Sequence, residues 1–289
     1  MKLLNIVGPG KVGRTLGVLW QRAAVFAIQD VIATTNASAR NAAAHIGAGA
    51  PCTQIVEARA ADVWIISTPD DAIAACAGAL AGSGVLREGD IVFHCSGALS
   101  SAELEPAARC GACVASAHPL KSFAESETAV SSFAGTWCAT EGDAAALAVL
   151  EPAFSRIGGR VIRIDAAAKL IYHAGSVMAS NYLVALLEAA LQCYERAGMA
   201  RDDAVPLMTP LVRETLENVL SRGTAGALTG PIARGDAALV TSQLETLEGS
   251  APALAALYRQ LGIVAVRLAR EKNQADAEAL AAIEKILTR

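Results

Sequence analysis

Three short segments place proton-moving and hydrogen-bonding side chains inside otherwise apolar sequence: HCSGALSS at 94–101, SAHPLKSF at 116–123 and KLIYHAGSVMASNYL at 169–183. Hydride addition to a C=O or C=N group needs a donor to the heteroatom, which His or Lys supplies, while Asn and Ser orient the substrate. His118, His173, Lys169, Asn181 and Ser96 are the candidates for that work. On a helix, Lys169, His173, Ser176 and Ser180 fall within roughly 60° of one another at about 100° per residue, with Asn181 on the flank of the stripe. So narrow a polar stripe has two readings, one as the wall of a reaction site and one as a buried seam between helices or subunits. His118 precedes Pro119, which restricts its backbone. His45 stands alone on an alanine-rich helical stretch and reads as structural or solvated. His94 reads as a packing residue.

A glycine pattern supplies a partner for such chemistry. Residues 8–13 read GPGKVG, directly after an apolar strand and at the start of an amphipathic helix. In the GxGxxG spacing Gly8 turns the chain, Gly10 lets backbone amides approach a pyrophosphate, and Gly13 lets helix and strand pack closely. The free N–H groups and dipole of the helix N-terminus favour the phosphates. Gly8, Pro9, Gly10, Lys11, Val12 and Gly13 are therefore the expected dinucleotide contacts.

An acid at the end of the second strand would select NAD by bonding the ribose 2′-hydroxyl. Asp30 precedes the run Val31–Thr34 and so falls at the wrong end of that strand. The residues that follow are Thr35, Asn36, Ser38 and Arg40, neutral donors with one cation, which suits a phosphomonoester and points to NADP. Ser67, Thr68 and Pro69, with Cys95 and Ser96, occupy strand-to-helix loops where the nicotinamide ribose would rest. Asp70 reads as the cap of the next helix.

These segments need a scaffold that brings them to one rim. Through residue 164 short apolar runs alternate with helical stretches, the pattern of an α/β Rossmann domain with a doubly wound, mostly parallel sheet. The expected strands are Leu3–Val7, Val31–Thr34, Val63–Ser67, Ile91–Cys95, Cys113–Ala117, Thr136–Ala139 and Arg160–Ile164. Residues 165–289 read as an all-helical domain for substrate and dimer contacts. Its first helix, capped by Asp165 and ended before Gly198, would be roughly 32 residues or about 48 Å long. Pro206, Pro210, Gly223, Gly230, Pro231 and Gly249 would interrupt the helices beyond it. A rod of that length has surface to share, so a homodimer through it is expected.

The chain has 289 residues, 53% of them apolar, which rules out disorder as the main state. A net charge of −4 with 18% charged residues leaves no basic field for nucleic acid or an anionic membrane. No run of about 20 unbroken apolar residues occurs, and the apolar start before Gly8 is too short for a signal peptide. A cytoplasmic protein follows as the expectation. Of seven cysteines only Cys110 and Cys113 form a CxxC pair, without the further ligands a zinc site wants, so reduced thiols and no metal are expected.

In order along the chain, GPGKVG, STPDDAI, HCSGALSS, AHPLKSF, YHAGSVMASNYLVAL and LTGPIARGD at 228–236 make the sequence resemble the Rossmann-like family whose C-terminal half is domain of unknown function 2520. The family is similar in architecture to pyrroline-5-carboxylate reductase, prephenate dehydrogenase and ketopantoate reductase, a 6-phosphogluconate-dehydrogenase-like arrangement. The resemblance implies an NADP oxidoreductase, a helical C-terminal domain and a dimer. His118-Pro119 resembles the His-Pro element of prephenate dehydrogenases, but the rest of that pattern is missing. Where 3-hydroxyacid dehydrogenases carry Lys and, four residues on, Asn, this chain has Lys169 and His173, which leaves the proton donor open between Lys169, His173 and His118. Thr229 and Arg234 belong either to a glycine-rich connection or to a loop that meets an anionic substrate in its own or a partner's site. The expected activity is hydride transfer between NADP(H) and a small polar carbonyl, imine or deazaflavin-type substrate. The competing expectation is an NADP(H)-binding redox sensor or interaction protein without turnover.

Overall fold

The computed structural model describes residues 1–123 and 125–289. Two compact units emerge, Met1–Leu183 and Val184–Arg289. The expected division after residue 164 lies upstream of this one, because the helix carrying Lys169 and His173 is anchored in the first unit.

The first unit is built on one eight-stranded sheet: β1 (Lys2–Val7), β2 (Phe26–Ile32), β3 (Ala50–Cys52), β4 (Val63–Ile66), β5 (Ile91–His94), β6 (Cys113–Pro119), β7 (Trp137–Gly142) and β8 (Arg160–Arg163). Their spatial order is β3-β2-β1-β4-β5-β6-β7-β8. Every neighbouring pair is parallel except β6 and β7, which run antiparallel. Its helices are α1 (Lys11–Arg22), α2 (Asn36–Ile46), α3 (Asp70–Gly82), α4 (Glu105–Arg109), α5 (Ser126–Ser131), α6 (Ala144–Arg156) and α7 (Lys169–Ala179), and α8 (Asn181–Arg196) runs on into the second unit.

The central strands are apolar throughout because both faces are covered. Alternate residues divide between two cores: Val63, Ile65, Ile91 and Phe93 pack with Trp20 and Phe154 on one face, and Trp64, Ile66 and Val92 pack with Ile73 and Leu104 on the other. Trp20 makes edge contacts with Phe26, Phe93 and Phe154, and its indole N–H donates to Ala153 O. Because β1, β4, β5 and β6 are parallel neighbours, their C-terminal ends open on one rim, and the order reverses between β1 and β4, where such sheets bind ligands.

Three expectations need correction. β2 begins at Phe26, five residues before the expected strand, because Gln29 and Asp30 interrupt its apolar run without ending its pairing. β3, three residues at the sheet edge with Pro51 in its middle, was not expected as a strand at all. The rod from Asp165 to Gly198 is divided: Asp165 caps a short turn at Ala166–Ala168, α7 follows, Ser180 leaves helical geometry at φ −119° and ψ −73°, and α8 resumes at Asn181. Gly198 does follow the end of α8 with positive φ.

The second unit continues with α9 (Arg201–Ala227), α10 (Gly230–Arg234), α11 (Ala237–Ser250), α12 (Pro252–Lys272) and α13 (Ala277–Leu287). Ile232, Val240, Val266, Leu280, Ile283 and Leu287 form its core. α9 runs through Pro206 and Pro210 rather than stopping there, bends at Gly223, and Gly249 lies within α11. One helical stretch among the described residues, Ala166–Arg196, is long and apolar enough to cross a membrane, though almost none of it is buried.

Candidate active site on the rim of the sheet

The turn after β1 is built as the glycine pattern requires. Gly8 has φ +71°, and a Cβ there would stand 2.3 Å from Thr68 Cγ2. A Cβ on Gly13 would stand 2.3 Å from Ser67 Oγ, so helix α1 lies directly on the loop after β4. Gly10 differs: among the described residues, apart from its own chain neighbours, the nearest atom to the position of its Cβ is Ser67 O at 3.8 Å. It caps α1 without a side-chain acceptor, which leaves the first-turn amides facing that open space. An uncapped helix start with bare backbone fits the diphosphate of a dinucleotide.

Contacts then run along the rim from strand to strand. Ser67 Oγ donates to Gly8 O at 2.7 Å, joining the loops after β4 and β1. Ser96 Oγ donates to Asp70 Oδ2 at 2.8 Å and accepts from the amides of Ala98 and Leu99, joining the loops after β4 and β5. Asp70 is thus the first residue of α3, with Pro69 at the cap, and its carboxylate serves the neighbouring loop. Ser96 is buried with its hydroxyl committed to this clip. Cys95 packs against the sheet core, and burial pushes its thiol pKa up.

Gly97 lies where two imidazoles converge. A Cβ there would stand 2.5 Å from His173 Nδ1, 2.8 Å from His118 Cε1 and 2.9 Å from His118 Nε2. Two imidazoles, one at the end of β6 and one on α7, therefore close over a residue that only glycine can occupy without moving them. Their rings are nearly perpendicular, with centroids 5.9 Å apart. His173 Nδ1 is buried and has no hydrogen-bond partner among the described residues. His118 Nδ1 lies 3.0 Å from the hydroxyl of Tyr172. Burial, reinforced by the charge of Lys169 and by His173, lowers the His118 pKa to about 4, so the ring is neutral near pH 7. Burial also raises the Tyr172 pKa, which keeps the phenol protonated. With that phenol donating to Nδ1, His118 carries its own proton on Nε2, the atom beside Gly97.

Lys169 is not at the surface of this site. It is 1% exposed, and its ammonium donates to Ser96 O at 2.9 Å and Ser116 Oγ at 2.7 Å. Burial lowers its pKa, while Glu141, Cys95 and Asp70 act to raise it. It holds the Ser96–Gly97 backbone from below. His94 is wholly buried, accepts from Ser96 N through Nδ1 and so donates from Nε2 to Ser100 O, and burial lowers its pKa to about 4. Both of its nitrogens are occupied.

Beside the imidazole pair opens a cavity of about 380 Å³, lined by both rings and by Lys121, Ser122, Ser176, Ser180 and Asn181. Of the stripe expected on one long helix, His173 and Ser176 reach this cavity from α7, Ser180 from the break and Asn181 from the first residue of α8. The break at Ser180 therefore sits in the site wall. Sequence reasoning missed Tyr172, Ser116, Lys121 and Ser122. Tyr172 and Lys121 lie inside segments already singled out, which was the available signal, whereas only the fold brings Ser116 to Lys169.

At the far end of the turn, Thr35 caps α2 by accepting from Ser38 N at 3.2 Å, and Asn36 and Arg40 are exposed beyond it. Arg14, from α1, bridges Pro9 O and Asn41 Oδ1. Asp30 is buried and held by Arg59 through its backbone amide at 2.7 Å and its guanidinium at 2.6 Å. Because β2 runs from Phe26 to Ile32, Asp30 stands two residues before its C-terminal end and not at the wrong end as expected; it is the hold of Arg59 that keeps it from a ribose.

Residues 2–119 match the model of a Rossmann-like domain, and residues 136–264 match domain of unknown function 2520. The chain joins a Rossmann-like domain to domain of unknown function 2520. His118 thus lies one residue before the end of the first matched region, and the whole of α7, with Lys169 and His173, lies in the second. Protein TM1727 from Thermotoga maritima is 26% identical, covering 93% of this chain and 99% of its own, with a TM-score of 0.74. BF3122 from Bacteroides fragilis, provisionally named an NADP oxidoreductase, is 23% identical, covers 91% and 97%, and has a TM-score of 0.71. An imine reductase from Streptomyces aurantiacus is 18% identical over 99% and 100%, with a TM-score of 0.63. The last two share the fold. No curated protein of matching sequence was found.

Proposed function

We propose that this protein is an NAD(P)-dependent reductase, using NADP in preference to NAD, that reduces a small polar carbonyl or imine at the His118–His173 pair. The observation that carries the reading is the continuity of the rim. An uncapped glycine turn fit for a diphosphate, after β1, and two imidazoles closing over Gly97, after β5, share one C-terminal rim, joined across the intervening loop after β4 by the Ser67–Gly8 and Ser96–Asp70 hydrogen bonds. The reduced dinucleotide supplies a hydride to the carbon of C=O or C=N and leaves oxidised, so the protein must supply one proton to the heteroatom. His118 donates from Nε2 as Tyr172 passes its phenolic proton to Nδ1, and the half-buried phenolate regains a proton from solvent, so that one solvent proton and one hydride are consumed per turnover. His173, with Nδ1 unpaired, takes the second hydrogen bond of the reacting group. Lys169 sets the position of Gly97 and does not touch substrate.

Preference for NADP rests on the donors Thr35, Asn36, Ser38 and Arg40 after β2 and on the engagement of Asp30 by Arg59. Named relatives support the class: Plasmodium falciparum pyrroline carboxylate reductase is described with NADP bound, at 13% identity and a TM-score of 0.57. The decisive experiment is a screen of carbonyl and imine compounds by NADPH consumption. One turned-over substrate whose reduction disappears in His118→Ala supports the reading, and the absence of any hit favours a sensor.

A homodimer belongs to the same proposal. Leu170 and Ile171 are 71% and 74% exposed on α7, large aliphatic side chains that a second copy of the chain would cover. Light scattering of the full chain should give twice the monomer mass, and Leu170→Glu should lower it.

A further inference from the structure

The cavity beside the imidazole pair has a charge that selects its occupant. Its polar wall is made by Lys121 and Ser122 from the segment after β6, by Ser180 and Asn181 at the break between α7 and α8, and by the two histidines. Among the described residues that line it, none is acidic. Lys121 donates one N–H to Ser132 O at 2.8 Å, which fixes its ammonium and leaves two donors. Ser122, Ser180 and the Asn181 amide add neutral donors, whereas the Ser176 hydroxyl is spent on Tyr172 O. With His118 neutral, Lys121 is the one ammonium on the wall among the described residues.

A phosphate monoester, near −2, is ordinarily met by several cations or by the fork of an arginine, and no arginine lines this cavity. One ammonium with flanking hydroxyls and an amide matches a single carboxylate. The remaining wall, Leu120, Val177 and Ala179, suits a short aliphatic frame. A volume of about 380 Å³ is near the lower end of ordinary ligand cavities, about 300–1,000 Å³.

We infer that the substrate is a small oxo or imino acid whose carboxylate is received by Lys121, with Ser122, Ser180 and Asn181, while its C=O or C=N lies against His118 and His173. This rests on the reductase reading of the same site. Reduction then adds hydride to the carbon and the His118 proton to the heteroatom, the carboxylate being unchanged, and yields a hydroxy or amino acid with the oxidised dinucleotide.

The test does not require the natural substrate. Cyclopentanecarboxylate and cyclopentanecarboxamide, alike in shape and differing in charge, are titrated by calorimetry into the full-length protein with and without saturating NADP⁺. The carboxylate should bind at least tenfold more tightly than the amide, and Lys121→Gln should abolish the preference while leaving NADPH affinity unchanged. Equal binding of the two probes, binding of neither, or a preference that survives in Lys121→Gln overturns the inference. Failure of NADP⁺ or NADPH to bind overturns the reductase reading, and the carboxylate preference of the free protein is then read separately.

Discussion

Two polar clusters stand against the sheet, one along β1 and β2 and one at the C-terminal rim, and they differ in how completely their hydrogen bonds are used. Along β1 and β2 Asp30 accepts three donors of Arg59, Asn5 Nδ2 donates to Arg59 O, Asn5 Oδ1 accepts from Asp30 N, and Asp62 accepts from Leu3 N. At the C-terminal rim His173 Nδ1 is buried without a partner and His118 turns Nε2 toward the same point. A satisfied buried network stabilises a fold, while unspent capacity held in place by the surrounding structure is what a ligand can use. Ser96, His94 and Lys169 belong to the C-terminal rim by position but to the satisfied class by bonding, so they support the site rather than react in it.

The sharpest contrast comes from mutating one member of each class. His118→Ala should lower kcat by about 10²–10⁴-fold, the range for loss of a general acid, with NADPH affinity nearly unchanged. Asp30→Ala should leave kcat per folded molecule alone and lower stability by about 1–3 kcal/mol, because it removes the charge-assisted hydrogen bonds that a buried carboxylate receives from Arg59. Chemical denaturation and steady-state rates of both variants separate the two effects, and a kinetic defect in Asp30→Ala would erase the distinction.

Acid should find the same rim. His94 and His118 titrate near 4 in the folded protein against about 6.5 when unfolded, so the unfolded state binds more protons between those values. The stability they contribute is fully present above about pH 6.5 and is lost as pH falls toward 4. For the wholly buried His94 alone this is about 3 kcal/mol. Urea melts at pH 7 and pH 4.5 should show a smaller gap in His94→Gln than in the parent, and an unchanged gap would mean that His94 is charged in the folded state.

Gly97→Ala is a finer probe, since its Cβ would push apart two imidazoles and little else. It should cost about tenfold in kcat through misplacement of the reacting groups, with a melting curve close to the parent's. The smallest effect concerns the cofactor. Arg40→Ala should weaken NADPH binding several-fold and leave NADH binding as it was, measured by fluorescence titration, because on the proposed reading the exposed guanidinium would meet only the extra phosphate.

Much of this rim was legible in the sequence because its signals are local. The GPGKVG turn, the apolar strands β4 and β5 and the types of His118 and His173 follow from spacing and composition. What was not legible is where chain segments meet. The early start of β2 hides behind Gln29 and Asp30, whose polarity is answered by Arg59 and Asn5 from elsewhere in the chain. Lys169 carried the same polar stripe as His173, yet Ser116 and Ser96 O draw it below the site, a matter of tertiary contact that helical periodicity does not see. The break at Ser180 carries no proline or glycine at that position to announce it.

The most direct test of the central claim uses Gly10. Beyond its own backbone and its chain neighbours, no described atom comes nearer than 3.8 Å to where its Cβ would stand, and its φ of −71° is open to other residues. Gly10→Val should therefore fold with little loss of stability while filling the space assigned to the diphosphate. Calorimetric titration should show NADPH affinity reduced at least tenfold in this variant, and a folded Gly10→Val that binds NADPH as the parent does would contradict the account.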